Sequence, residues 1–113
     1  MILAASICFV LAIASGWLLL IRRLMGRPLP MRTALVHGAV ALTGVFLVAL
    51  HLLLHGGNPA LLIGFALLLV AAGLGIAVFR WHLRRQPIPV GLTMVHVITA
   101  VVGVIVFLIG ASL

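Results

Sequence analysis

The stretch PLPMRTALVHGAVALTGV, Pro28 to Val45, returns 59 residues later as PIPVGLTMVHVITAVVGV, Pro87 to Val104. Seven of the 18 positions are identical: both prolines, Val36/Val95, His37/His96, Ala41/Ala100, Gly44/Gly103 and Val45/Val104. Each copy is a stiff Pro-x-Pro entry followed by an apolar run. Proline is tolerated at a helix start, because the N–H it lacks would be unpaired there anyway. Each copy therefore predicts a helix that begins near its second proline and carries one histidine about 10 Å inside, at 1.5 Å per residue. Gly16 and Gly75 extend the match weakly backwards.

Outward from this repeat, the apolar runs at 2–21, 33–54, 60–79 and 90–111 each supply the ~20 residues that a bilayer-spanning helix needs. Of the 113 residues, 66% are hydrophobic and 6% charged, against about a quarter charged in soluble domains. The expected fold is an all-α membrane protein with four transmembrane helices in an up-down bundle. It forms a single domain, 1–113, built from a tandem two-helix repeat of about 1–55 and 59–113. Short connections favour antiparallel neighbours. Two spans per unit send both units into the membrane in the same direction, so the relating axis runs along the membrane normal. The first run lacks a positive segment ahead of it, and its arginines come after it, so it reads as a retained helix.

All seven arginines fall in or beside two linkers: Arg22, Arg23, Arg27 and Arg32 at the first, and Arg80, Arg84 and Arg85 at the third. The Gly56-Gly-Asn-Pro59 turn has none. The positive-inside rule then places both Arg linkers in the cytoplasm and both termini outside, in a bacterial cytoplasmic (inner) membrane. Trp17 and Trp81 flank the basic level, as interfacial tryptophans do. With no Asp or Glu in the chain, the arginines have no carboxylate side chain to pair with. Anionic lipid head groups, a bound anionic group or an acidic partner must serve. Two narrow interfacial belts with no basic domain give no footprint for nucleic acid. Cys8 is alone in an apolar helix and reads as a packing residue.

A histidine at equivalent places in two repeated helices can be brought face to face by a pseudo-twofold axis. Seven residues return to nearly the same helix face, so Gly44 and Gly103 stand two turns beyond His37 and His96. An imidazole beside a residue with no side chain suits a flat macrocycle. His37 and His96 are the candidate axial ligands to the iron of one haem b held between helices 2 and 4. Gly44 and Gly103 then leave room for the ring, and Arg32 is a partner for a propionate. Each Nδ1–H needs an acceptor, expected to be a backbone carbonyl one turn back.

His51 lies 14 residues after His37, about 21 Å along the helix and ~40° around it. On His37, Gly44, His51, His96 and Gly103 the chain resembles membrane-embedded b-type cytochromes, whose four-helix bundles carry histidine-ligated haems about four turns apart. The resemblance implies electron transport, with quinone or a larger membrane redox complex as partner. It departs at Gly110, which occupies the repeat position of His51, so no second ligand is supplied there. His51 and His55, at i and i+4, are a possible second metal site. As outer-end polar residues they read first as solvated interface groups. His82, beside Trp81, reads as an interface residue.

Three alternatives stay open. Intramembrane histidines also serve as interhelical hydrogen-bonding groups, and glycines as close-packing points. The chain is then an accessory or assembly subunit of a larger membrane complex. A pigment-binding form, with histidine on a chlorophyll-type magnesium, lies between the two readings. A small transporter resembles this chain in size, but lacks here the intramembrane carboxylate for proton coupling. No nucleophile–base pair, phosphate loop or carboxylate pair supports enzymatic hydrolysis or phosphoryl transfer.

Overall fold

The computed structural model describes all residues, 1–113, as four helices with no strand: α1 Ile2–Leu24, α2 Met31–His55, α3 Pro59–Leu83 and α4 Val90–Ser112. Each is long and apolar enough to cross a membrane, with mean hydropathy from 2.0 to 2.7. The chain is an integral membrane protein of the all-α class. Its apolar runs end where expected except at the basic ends of α1 and α3, which continue into Arg22, Arg23, Arg80 and His82. Cations in a last turn face the negative end of the helix dipole, so these residues prolong the helix rather than stop it.

What stops both helices is the same turn, repeated at +59. Gly26 N–H donates to Arg23 O and Arg27 N–H to Arg22 O; Arg85 N–H donates to His82 O and Gln86 N–H to Trp81 O. This pattern needs a left-handed residue. Gly26 supplies it at φ 67°, and Arg85, its repeat counterpart, at φ 52°. The Pro-x-Pro segment follows in each case, and its second proline opens the next helix. Pro30 O accepts from Ala34 N–H and Pro89 O from Thr93 N–H, both at 3.1 Å.

The contacts divide the chain into two compact units, 1–48 and 49–113. The first holds α1 and the first 18 residues of α2. Within it the helices run antiparallel, since His37 meets Ala12 and Gly16 while Gly44, further along, meets Phe9. The second unit packs α3 against α4 in the same sense: His96 meets Ala71, Gly103 meets Leu67 and Leu68, Phe107 meets Gly64, and Gly110 meets Leu61. Five buried positions of the first unit have buried counterparts at +59. Ala5, Phe9, Ala12, Gly44 and Val48 are buried in the first unit; Gly64, Leu68, Ala71, Gly103 and Phe107 are their counterparts in the second. Small residues on one helix face large ones on the other, which brings the backbones close, as lipid-embedded helices require.

The connection between α2 and α3 is a different turn. Gly56 takes φ 69°, and Asn58 caps α3 by accepting from Leu61 N–H at 2.9 Å. Pro59 follows at the first helical position, where its fixed φ is already helical.

Candidate cofactor site

Each histidine of the repeat is held by the helix before it. His37 Nδ1 lies 2.9 Å from Ala12 O, and His96 Nδ1 lies 2.9 Å from Ala71 O. The acceptor is a carbonyl on the adjacent helix of the same hairpin, not the expected one a turn back on the histidine's own helix. A carbonyl oxygen only accepts, so each Nδ1 carries the proton. In the neutral ring the lone pair then sits on Nε2.

A helical carbonyl is ordinarily covered by the side chain four residues on, whose N–H it already accepts. Here the residues four positions beyond Ala12 and Ala71 are Gly16 and Gly75. A Cβ on Gly16 would lie 2.9 Å from His37 Cε1, and one on Gly75 would lie 2.9 Å from His96 Cε1. The imidazole occupies the space of the missing side chain and so reaches the carbonyl. An Ala-x3-Gly step on one helix and a histidine on the next make a clasp, and the chain makes it twice.

The two clasps are not identical. Ser15 Oγ lies 3.3 Å from His37 Nδ1 and donates its own proton to Leu11 O at 2.9 Å. Its oxygen is thus a second acceptor for the His37 N–H. The repeat counterpart of Ser15 is Leu74, which offers no such group.

Gly44 and Gly103 serve the hairpins. A Cβ at Gly44 would lie 2.7 Å from the Phe9 ring, and one at Gly103 would lie 3.2 Å from both Leu67 and Leu68. The room these glycines make is filled by the neighbouring helix. The glycines against the imidazoles are Gly16 and Gly75, on α1 and α3. In the sequence they stand only as repeat matches at +59. The available signal was the pairing of Ala12/Ala71 with Gly16/Gly75, a small-x3-small step recurring at +59.

Arg32 is exposed on the first turn of α2, five residues before His37, about 7.5 Å along the axis. His51 is half-buried and His55 exposed on the last turns of α2, with ring centroids 4.9 Å apart and planes 27° apart. Gly110 stands where the repeat would place a partner for His51. A Cβ there would meet Leu61 N at 2.5 Å, so close approach of α3 and α4 excludes a side chain at that point. His82 stacks on Phe79 at 6.1 Å. No cluster of three or more His, Cys, Asp or Glu side chains exists to hold a metal ion.

Fold and site together define an integral membrane protein made of two tandem helical hairpins, each fastened by a histidine. Comparison with protein-family models, curated proteins and solved structures finds no match to this chain.

Proposed function

We propose that the chain is a small b-type cytochrome of the membrane, in which His37 and His96 would hold the haem iron. The observation that carries this reading is the paired clasp. Ligating histidines commonly donate their other ring N–H to a backbone carbonyl, which fixes the tautomer and the ring orientation. Both histidines do so here at 2.9 Å, and each thereby puts its lone pair on the nitrogen that binds iron. The residues present fit the group in tautomer and in duplication. Bound haem supplies one-electron transfer; Ala12, Ala71, Gly16 and Gly75 hold the imidazoles, and Arg32 supplies a cation for a propionate. Gly44 and Gly103 contribute by closing the hairpins. On this reading the Arg linkers face the cytoplasm of a bacterial cell, with quinone or a larger redox complex as the electron partner.

A reduced-minus-oxidised visible spectrum of protein purified in mild detergent tests it. A sharp low-spin b-haem α-band in wild type, lost in His96→Ala protein of unchanged helicity, is expected. Folded wild-type protein, expressed with ample haem and spectrally featureless, overturns it.

A second reading is supported by the packing of Gly44 against Phe9 and of Gly103 against Leu67 and Leu68. There the histidines are hairpin fasteners alone, and the chain is an accessory subunit of a membrane complex. Constant co-purification with a large partner, without a chromophore, is its signature. A chlorophyll-type pigment on the same histidines would show instead as a magnesium-macrocycle spectrum.

A further inference from the structure

We propose that His51 and His55, at the outer end of α2, form a binding site for a first-row divalent cation of the Zn2+, Ni2+ and Cu2+ class. The two residues lie one helical turn apart, with rings stacked at 4.9 Å and nearly parallel at 27°. Histidines at i and i+4 on one helix face are the arrangement in which two imidazoles ligate one ion. His55 is exposed, and convergence of the two imidazoles on one ion requires its ring to leave the stack. Imidazole nitrogen is a preferred donor for these three cations, and water completes the coordination.

The local field favours a cation. His55 is the final residue of α2, where the helix dipole presents its negative end. The arginines are remote. Arg32 is 19 residues back along the same helix, about 28 Å away. Arg80 lies near the far end of α3.

The pair is also not a by-product of the repeat. The counterpart of His51 is Gly110, where a side chain has no room. Duplication accounts for His37 and His96 but leaves His51 unexplained.

The test is titration of the detergent-solubilised protein with Cu2+ alone, followed by electron paramagnetic resonance, for wild type, His55→Ala and His82→Ala. One equivalent is expected to bind wild type and His82→Ala with two nitrogen donors. In His55→Ala, binding should weaken at least tenfold, with a single nitrogen donor. Zn2+ should displace the Cu2+ only in large excess, since imidazole sites bind Cu2+ the more tightly. Equal binding by wild type and His55→Ala, or no stoichiometric binding by wild type, overturns the proposal. Haem content read in the same preparations separates this outcome from that of the cytochrome reading. Haem present with an indifferent His55→Ala sinks only the cation site, and haem absent with a lost Cu2+ site sinks only the cytochrome.

Discussion

Gly16 and His37 share one space: a Cβ on the glycine would stand 2.9 Å from Cε1 of the imidazole. The obstructed atom is the far edge of a side chain, so Gly16→Ala is accommodated by a small ring displacement. That displacement stretches the bond from Nδ1 to Ala12 O. Interhelical side-chain hydrogen bonds in membranes are worth ~0.6 to 1.7 kcal/mol, and Gly16→Ala should cost about that. Gly75→Ala should act alike on His96. Nitrogen NMR of labelled histidine reports the loss directly, as a shift of the Nδ1–H resonance with helicity preserved. Unmoved resonances in both variants would mean that these glycines do not control the clasp.

The position of this clasp was half legible in the sequence. The repeat located His37 and His96, and it located a glycine beside each imidazole in kind. It points to Gly44 and Gly103 because periodicity finds same-face residues within one helix, whereas Gly16 and Gly75, which lie against the imidazoles, belong to another. The hairpin has a simple register that closes the gap. His37 and Gly16, and likewise Gly44 and Phe9, are equidistant in sequence from the turn between Gly26 and Arg27; His96 and Gly75, Gly103 and Leu68, and Gly110 and Leu61 are equidistant from the turn at Arg85 and Gln86. Locating those turns from sequence needed the left-handed residue in each, and Arg85 hides one of them. A second unread signal was Ser15, whose effect on His37 depends on a cross-helix contact that no spacing within α1 reveals.

The same geometry ranks the glycines by cost of substitution. At Gly64 a Cβ would meet Phe107 N and Cα at 2.6 and 2.7 Å, and at Gly110 it would meet Leu61 N at 2.5 Å. Those atoms are backbone, so relief requires the helices to part. Gly64→Ala and Gly110→Ala should each cost about 1–3 kcal/mol, as overpacking does. Gly38, Gly73 and Gly91 have nothing within 4 Å of the added atom. Alanine there should be neutral or stabilising by up to ~1 kcal/mol through helix propensity. Denaturation in mixed micelles, followed by circular dichroism, separates the two groups; an inverted order would contradict the packing of α3 on α4.

Arg85 sits at φ 52°, where the first hairpin uses Gly26 at φ 67°. A left-handed residue with a Cβ costs about 1–2 kcal/mol relative to glycine's freedom there. Gly26→Ala should therefore destabilise by roughly 1 kcal/mol, although nothing lies within 4 Å of its Cβ position, the cost being one of backbone conformation alone. Arg85→Gly relieves the same strain, offset by the larger entropy of the unfolded chain. Opposite signs in the unfolding midpoints of Gly26→Ala and Arg85→Gly are expected. Destabilisation by both would show that unfolded-chain entropy or contacts of the Arg85 side chain outweigh the relieved strain.

Asn58 divides its amide between two tasks. Its Oδ1 accepts from Leu61 N–H at 2.9 Å as the cap of α3, and its Nδ2 donates to Gly110 O at 2.8 Å near the end of α4. Asn58→Ala removes both and should cost about 2 kcal/mol, most of it the cap. Asn58→Ser keeps a capping oxygen with a side chain one group shorter than the link to Gly110 requires. Asn58→Asp keeps the cap and favours the positive N-terminus of α3, yet turns a carboxylate towards the Gly110 carbonyl and loses the donor. Stability should fall in the order Asn, Ser, Ala, with Asp below Asn despite its charge at the helix start. Amide exchange distinguishes the two tasks. Loss of the cap exposes the first turn of α3, whereas loss of the Gly110 link frays the last turn of α4. Asp equal to or above Asn, with α4 exchange unchanged, would assign Asn58 to capping alone.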